Sequence, residues 1–151
     1  MQNTIVYLGA DHNGFHLKNE LAKYLEARGY EVVDLGPHTL DPIDDFPVAA
    51  GDVAAAVLSS KARYARGILL CGSGQGVCMA ANRFKGIRAS LGYDLESVRS
   101  ARNDDDANVL CLPAHELTLR KAESLVTTWL ETAFAGAARF KRRIREMDQL
   151  G

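Results

Sequence analysis

A cysteine followed by a glycine-rich turn is the part of this sequence best suited to chemistry. Cys71 ends the apolar run 67–71, and the turn Gly72-Ser73-Gly74-Gln75-Gly76 leads into a helical stretch. Alternate glycines let backbone N–H groups converge on an anion, with a helix N-terminus behind them. A thiol beside a helix N-terminus has a lowered pKa and is available as a base or nucleophile. A glycine-rich turn alone often marks only a tight strand-to-helix connection, so the functional interpretation depends on the thiol.

An acid and a histidine follow the first strand-like run, in Gly9-Ala10-Asp11-His12-Asn13-Gly14. At the end of a strand these two side chains would face a ligand crevice. The structural alternative is that Asp11 or Asn13 caps the next helix and His12 is incidental. The same residue can also do both. Cys78 and Cys111 fall inside a predicted helix and a predicted strand, where we expect small core residues.

Two charged segments complete the candidate groups. The run Asn103-Asp104-Asp105-Asp106-Ala107-Asn108 reads first as a solvated acidic turn. A metal site is not expected there, because three consecutive carboxylates diverge and no histidine is near. Arg139 and Arg143 lie four residues apart on one helical face, which suits clamping a phosphate, although such a run is usually a solvated basic face.

The elements that position these groups alternate between strand-like and helical stretches. The predicted strands are residues 4–9, 31–34, 67–71, 87–91 and 109–112, with helical stretches between them. The pattern predicts an α/β fold: a single-domain, doubly wound, Rossmann-like parallel sheet of about five strands with helices on both faces. A basic C-terminal helix is predicted over residues 137–149. Ligands of such sheets bind at the carboxyl ends of the strands.

Composition excludes several classes of function. The 151 residues predict one domain, 1–151, and the net charge of −1 gives no electrostatic footprint for nucleic acid. The longest apolar stretches fall far below the ~20 residues that a membrane helix needs. The opening Met1-Gln2-Asn3-Thr4 leads into a strand-like run with no signal peptide, and three cysteines without metal-ligand spacing fit reduced thiols. We therefore expect a cytoplasmic protein with neither nucleic-acid nor membrane partners.

Taken together, these segments resemble the family of type B ribose-5-phosphate isomerases and galactose-6-phosphate isomerases. The resemblance covers nearly the whole chain, and no single piece is specific alone. The matching pieces are Gly9-Ala10-Asp11-His12-Asn13-Gly14, Gly29-Tyr30-Glu31-Val32-Val33-Asp34-Leu35-Gly36, Asp45-Phe46-Pro47, Gly67-Ile68-Leu69-Leu70-Cys71-Gly72-Ser73-Gly74-Gln75-Gly76, Ala80-Ala81-Asn82-Arg83-Phe84, Gly86-Ile87-Arg88-Ala89 and Asn108-Val109-Leu110.

The resemblance implies an aldose–ketose isomerase that works through an enediolate without metal or cofactor. It also implies a homodimer, or a dimer of dimers, with composite sites and a phosphorylated sugar as substrate, ribose 5-phosphate and ribulose 5-phosphate being the leading pair. Cys71 matches the catalytic base, and Val77 stands where other members carry a glutamate. Ser73 matches a residue that assists Cys71, and Gly72, Gly74 and Gly76 match N–H donors. His12, Arg139 and Arg143 match phosphate-binding positions. Asp11 matches a residue near the sugar hydroxyls.

The departures from the family lie in the site itself. The family usually has His-Asn at Asp104-Asp105, where the histidine opens the furanose ring. We expect Asp104 to take over that position, with Asp105 beside it in the substrate site. The alternative is that Asp104 is a solvated turn residue and that the ring opens unaided in solution or through His115. A common tyrosine is Phe46 here, and an arginine aligns with His115, which we expect to contact substrate.

These changes leave three alternatives to ribose 5-phosphate isomerisation. The first is an isomerase of another phosphosugar, a tetrose or hexose phosphate. The second is a non-catalytic phosphosugar-binding module, against which the retained Cys71 argues, because binding alone needs no thiol. The third is a nucleotide-binding protein, for which a full glycine fingerprint followed by a suitably placed acid is missing.

Overall fold

The computed structural model describes residues 3–151, so Met1 and Gln2, which open the predicted lead into the first strand, lie outside the described residues. The strands are β1 (Thr4–Ala10), β2 (Glu31–Asp34), β3 (Tyr64–Cys71), β4 (Ala89–Leu91) and β5 (Val109–Pro113). The helices are α1 (Phe15–Ala27), α2 (Phe46–Ser59), α3 (Gln75–Ala81), α4 (Leu95–Asp105), α5 (Leu119–Glu131) and α6 (Ala138–Asp148).

The five strands form one parallel sheet in the order β2-β1-β3-β5-β4. The chain leaves β1 toward one side of the sheet and β3 toward the other, so the strand order reverses between β1 and β3. Such a switch point opens a crevice at the carboxyl ends of the two strands. In register, Ala10 at the end of β1 pairs with Leu70, one residue before Cys71. The predicted doubly wound fold is confirmed.

Helices cover both faces of the sheet because side chains alternate along each strand. On β3, Ile68 and Leu70 face the core under α1, α4 and α5, while Leu69 and Cys71 face the core under α2 and α3. Trp129 of α5 is the largest fully buried side chain. Both faces of the central strands are therefore buried, as their continuous apolar runs require.

Local signals in the sequence account for several element ends. Gly29, just beyond α1, has φ +89°, a conformation that suits glycine after a helix. Pro47 lies in the first turn of α2, where its missing N–H costs nothing. None of the helices within residues 3–151 is long and apolar enough to cross a bilayer.

The structure corrects three predicted segments. β3 begins at Tyr64 rather than Gly67, because Tyr64, Ala65 and Arg66 pair with the start of β1. β4 begins at Ala89 rather than Ile87, because the Ile87 N–H bonds back to the Phe84 carbonyl and closes a turn. The acidic run begins inside α4, which extends to Asp105, instead of forming a turn. Arg88 explains the extension, since its guanidinium donates to the carbonyl oxygens of Asp105 and Asp106 (3.0 Å each) and satisfies the end of the helix.

A buried ion pair that the sequence did not indicate holds the loop after β2. Lys18 of α1 is fully buried, and its amino group contacts both carboxylate oxygens of Asp34 at 2.8 Å. Asp34 also accepts the Gly36 N–H at 2.9 Å, and the Gly36 carbonyl accepts the Ala10 N–H at 3.2 Å. This chain of contacts fixes the loop against the end of β1.

Candidate active site

Cys71 lies at the carboxyl edge of the sheet, the edge where β1, β3 and β5 end. Three backbone hydrogen bonds join those strand ends: Asp11 N–H to the Leu70 carbonyl (3.1 Å), Ala114 N–H to the Cys71 carbonyl (2.9 Å) and His115 N–H to the Gly72 carbonyl (3.0 Å). Cys71 itself is only 5% exposed. The predicted base therefore lies in a rigid setting beside the switch point.

The loop after Cys71 needs glycine at its centre. Gly74 has φ +74°, and a Cβ there would lie 2.6 Å from Leu91 Cδ1 and 3.0 Å from the Pro113 nitrogen. Ser73 is exposed, and its hydroxyl oxygen accepts the Gln75 N–H at 3.3 Å. The structure thus gives Ser73 a role in shaping the loop, while its assistance to Cys71 stays a prediction.

Phe46 forms a wall next to this loop. It is the first residue of α2, and its ring packs so closely on Gly76 that a Cβ there would lie 2.8 Å from the ring. The ring is about a third exposed (37%) and offers no hydrogen-bond donor. This side of the crevice is therefore apolar.

Asp11 is buried at 6% exposure in the turn between β1 and α1. Its Oδ1 accepts the N–H groups of Asn13 (2.9 Å) and Gly14 (3.3 Å). These bonds close the turn before α1, but the N-cap of α1 is Gly14 and it has no side-chain cap, so the capping interpretation was wrong for both Asp11 and Asn13. These bonds do not exclude a contact with substrate, because a carboxylate has further acceptor capacity.

Asp44 fixes the position and charge of His12. Its Oδ1 accepts both the His12 backbone N–H (2.8 Å) and the His12 Nδ1 (2.9 Å). The hydrogen bond to Asp44 is the main cause of a raised His12 pKa, to which the charge of Asp11 also contributes, while partial burial opposes it. His12 is thus held as a cation to higher pH than an ordinary imidazole, with Nε2 left for a ligand.

His115 and Asn13 also meet at the carboxyl edge. The His115 Nε2 lies 3.2 Å from the Asn13 Oδ1, and a Cβ on Gly72 would lie 2.9 Å from His115 Cε1. The structure therefore brings His115 close to the turn that carries Asp11 and His12 and to the loop after Cys71, while its contact with substrate stays a prediction. Asn13 and Asp44 were missed as site residues. Only the presence of a carboxylate in the long polar loop before α2 could have drawn attention to Asp44.

The other predicted site residues lie at the amino edge of the sheet, the edge where the strands begin. Asp104 and Asp105 occupy the last turn of α4, just before β5 starts at Val109. β5 spans about 13 Å from that edge to Pro113, which pairs with Cys71. Within one chain, Asp104 and Asp105 therefore do not join Cys71.

The charges at the amino edge are only partly compensated. Asp104 is half-buried and accepts a hydrogen bond from the Asn103 amide at 2.8 Å. Burial, and next the charge of Asp104, raise the pKa of Asp105, while the charge of Arg143 opposes that rise. Asp106 pairs with Arg102 at 2.7 Å, which reduces the like charge that it adds to its neighbours. The raised carboxyl pKa in this run is that of Asp105.

Arg139 and Arg143 are exposed on α6, in which no residue is buried. The Arg139 guanidinium stacks on the Phe140 ring at 4.4 Å. The charge of Arg143 acts on Asp105, so this face of α6 belongs to the amino edge. The three predicted phosphate contacts are thus divided, with His12 at one edge and both arginines at the other.

The remaining cysteines lie in the apolar layer under α2 and α3. Cys111 is fully buried, and burial together with its contact to Cys78 raises its pKa. Cys78 is half-buried and bonds to the Ala89 carbonyl at 3.5 Å. These positions fit the expected core roles. Within residues 3–151, no group of three or more His, Cys, Asp or Glu side chains is arranged to hold a metal ion.

Comparisons with known proteins give the same fold and the same family. The profile of the Ribose/Galactose Isomerase family matches residues 6–147. A probable ribose-5-phosphate isomerase B of Mycoplasma pneumoniae is 41% identical over 140 residues, 93% of this chain and 91% of that protein. The ribose-5-phosphate isomerase B of Escherichia coli is 36% identical over 137 residues, 91% of this chain and 90% of that protein.

Solved structures agree with this result. The ribose 5-phosphate isomerase of Thermotoga maritima superposes with a TM-score of 0.91 and 39% identity, covering 99% of this chain and 100% of that one. The enzyme of Mycoplasma genitalium, solved with bound ribulose 5-phosphate, gives a TM-score of 0.90 and 36% identity with the same coverage. The fold and the relatives are those of an aldose–ketose isomerase. The chain belongs to the ribose/galactose isomerase family.

Proposed function

We propose that this protein interconverts an aldose phosphate and a ketose phosphate, ribose 5-phosphate and ribulose 5-phosphate being the leading pair, with Cys71 as the base. The observation that carries the proposal is the position of Cys71 at the carboxyl edge. There its loop meets the Asp11 turn, the charged His12 and His115. The relative with bound ribulose 5-phosphate supports this choice of substrate pair.

The reaction moves one proton between neighbouring carbons. The Cys71 thiolate takes the proton from C2 of the open-chain aldose, and the electron pair moves to form an enediolate across C1 and C2. The proton then returns to C1, and transfer of a hydroxyl proton from O2 to O1 completes the ketose. No electron acceptor outside the substrate is needed, so Cys71 acts only as an acid and base.

Backbone N–H groups of the loop after Cys71 would stabilise the enediolate oxygens. Gly72, Gly74 and Gly76 carry no side chains that would shield their amides, and the conformation of Gly74 is fixed by its contacts with Leu91 and Pro113. Preorganised donors of this kind lower the barrier because they need no rearrangement as charge develops. Ser73 would assist Cys71 through its exposed hydroxyl.

His12 would bind the phosphate as a cation, since Asp44 raises its pKa. Arg139 and Arg143 would complete the phosphate site from a second copy of the chain, and Asp104 and Asp105 would reach the sugar from the same copy. In each chain these groups lie at the edge opposite Cys71. A composite site in a homodimer, or in a dimer of dimers, supplies both halves at once.

Exposed apolar side chains support an interface with a second copy. Val48 of α2 and Met79 of α3 are 66% and 65% exposed and lie on helices of the same face of the sheet. α6 contributes no buried residue to its own chain. A monomer of this size rarely leaves such features uncovered, whereas a dimer buries them.

A second candidate substrate is a phosphosugar of different length, a tetrose or hexose phosphate. The Phe46 ring on Gly76 supports this candidate, because an apolar wall does not hydrogen-bond a sugar hydroxyl at that place. A site that lacks one hydroxyl contact discriminates less between sugars that differ there.

The test is to measure the interconversion of four-, five- and six-carbon aldose and ketose phosphates by the purified protein. We expect turnover of the five-carbon pair, with binding dependent on the phosphate. If the protein prefers a sugar phosphate of four or six carbons, the proposed substrate would change but the proposed reaction would stand. Tight binding without turnover of any phosphosugar would contradict the proposal and support a binding protein.

A further inference from the structure

His115 lies where an acid–base group can reach the sugar ring beside Cys71. It follows the end of β5 by two residues, and its backbone N–H bonds to the Gly72 carbonyl. Its imidazole packs directly over Gly72, because a Cβ there would lie 2.9 Å from Cε1 and 3.0 Å from Nδ1. Only glycine at position 72 leaves room for the ring in this place.

Asn13 determines which nitrogen of His115 carries the hydrogen. The Asn13 Oδ1, 3.2 Å from Nε2, can only accept a hydrogen bond, so Nε2 is the donor. Nδ1 then keeps its lone pair, and it lies on the side of the ring that faces Gly72. The ring is thereby oriented with a free base toward the loop that follows Cys71.

The two imidazoles at the carboxyl edge are held differently. Nδ1 of His12 is bound to the Asp44 carboxylate, which raises the His12 pKa and suits it to binding an anion. The partner of His115 is a neutral amide, and the structure records no contact between His115 and a carboxylate among residues 3–151. An imidazole has one nitrogen that can accept a proton and one that can donate, which suits it to an acid–base step.

The geometry points to His115 as the catalytic residue that opens the furanose ring of a pentose phosphate. This inference rests on the proposed function. The His115 Nδ1 takes the proton from the anomeric hydroxyl, the C1=O1 double bond forms and the C1–O4 bond breaks. The electron pair of that bond stays on O4, which receives the proton back from the imidazole. The step consumes nothing and leaves the open-chain aldose beside Cys71.

Asp104 is the alternative that the sequence suggested for the same step. It lies half-buried at the amino edge, hydrogen-bonded to Asn103, and it reaches a sugar beside Cys71 only from a second copy. His115 lies against the loop that follows Cys71 in the same chain, so it needs no second copy to reach the sugar.

The experiment measures the initial rate of ribose 5-phosphate isomerisation at increasing enzyme concentration. An enzyme that opens the ring gives a rate proportional to its concentration. An enzyme that must wait for the open-chain form gives a rate that levels off at the rate of spontaneous ring opening in solution. The variants are His115→Gln, whose amide can replace the bond to Asn13, His115→Arg, which restores a cation for phosphate binding, and Asp104→Asn.

We expect the parent and Asp104→Asn to stay proportional. His115→Gln should lose ~10²-fold or more in kcat/KM and level off, and His115→Arg should not restore the rate. Levelling off in the parent or in Asp104→Asn would overturn the inference. So would proportional rates with either His115 variant, since His115 would then only bind phosphate. If the parent turns over no ribose 5-phosphate, the proposed function itself fails on that substrate.

Discussion

The carboxyl edge and the amino edge of the sheet carry the two halves of the candidate site, and they are built in different ways. At the carboxyl edge Cys71 and Asp11 are nearly buried, and hydrogen bonds tie together the ends of β1, β3 and β5. At the amino edge Asp104 is half-buried in the last turn of α4, and Arg139 and Arg143 are exposed on α6. The groups at the carboxyl edge are held by contacts within the chain, whereas those at the amino edge are more open to solvent.

This difference fits two separate tasks, proton transfer at the carboxyl edge and phosphate binding by the arginines at the amino edge. Proton transfer requires groups held within a fraction of an ångström, which the bonded carboxyl edge can provide. Binding a phosphate tolerates long, mobile side chains, which suits arginines on an exposed helix. The comparison therefore predicts that changes to Cys71 and its loop act on kcat, whereas changes to the phosphate-binding groups, His12 and the arginines of the amino edge, act on KM.

The largest effect should come from Cys71→Ala. Removing the base should lower kcat by ~10²–10⁴-fold or more with the fold intact. Cys78→Ala is the matched control, because this half-buried thiol belongs to the core layer and should keep most of the activity. Substantial turnover by a well-folded Cys71→Ala protein would show that the thiol is not the base.

Subunit mixing tests whether the two edges belong to one site. Cys71→Ala and the double variant Arg139→Ala/Arg143→Ala should each be nearly inactive at low substrate concentration. Co-expressed, they should recover roughly a quarter of the parental activity, because half of the dimers are mixed and each mixed dimer has one intact site. Mixing Cys71→Ala with Asp11→Asn should recover nothing, since both changes lie at the carboxyl edge. Recovery in neither mixture would show that the site is not shared.

The features that the sequence predicted correctly depend on local patterns. Alternating strand and helix periodicity, Gly29 after α1 and Pro47 in α2 each act within a few residues, and together they determine a parallel α/β sheet. The glycine-rich turn marked Cys71 in the same local way. The end of α4 was missed because it depends on Arg88, whose contact with the main chain of Asp105 joins residues 17 apart.

The contacts that orient the site are not local. Asp44 bonds to His12 across 32 residues, and His115 meets Asn13 across 102 residues. Neither pairing has a periodic signal, because each depends on how a polar loop or a strand end folds against a distant turn. The division of the site between two edges was likewise hidden, since it follows from strand order and helix direction.

Smaller effects should follow from removing one phosphate-binding arginine. Arg139→Ala or Arg143→Ala should raise KM for a phosphosugar roughly tenfold, the size expected when a hydrogen bond to a charged group is lost, and should leave kcat largely unchanged. Arg142→Ala is the control, because Arg142 pairs with Glu146 at 3.8 Å instead. An unchanged KM in both test variants would mean that α6 is only a solvated basic face and does not bind the phosphate.

The smallest effect concerns Asp44, which acts on substrate only through His12. Its hydrogen bond raises the His12 pKa, so the imidazole stays protonated, and attractive to phosphate, to higher pH than an ordinary histidine. The ion pair contributes fully below the ordinary pKa of ~6.5 and is lost as pH rises through the raised pKa. In Asp44→Asn the main cause of the rise is gone, and KM should begin to climb at lower pH than in the parent.

Measured from pH 5.5 to 8.5, the KM values of the two proteins should therefore agree at the acid end and differ roughly two- to fivefold in the region between the two pKa values. Titration of the phosphate itself affects both proteins equally and cancels in the comparison. Asp41→Asn removes the same charge from the same loop and should follow the parent, because the Asp41 carboxylate accepts the Ile43 N–H at 3.1 Å and only the Asp41 main-chain carbonyl contacts Asp44. A constant KM ratio for Asp44→Asn across the whole range would mean that Asp44 positions His12 without controlling its charge.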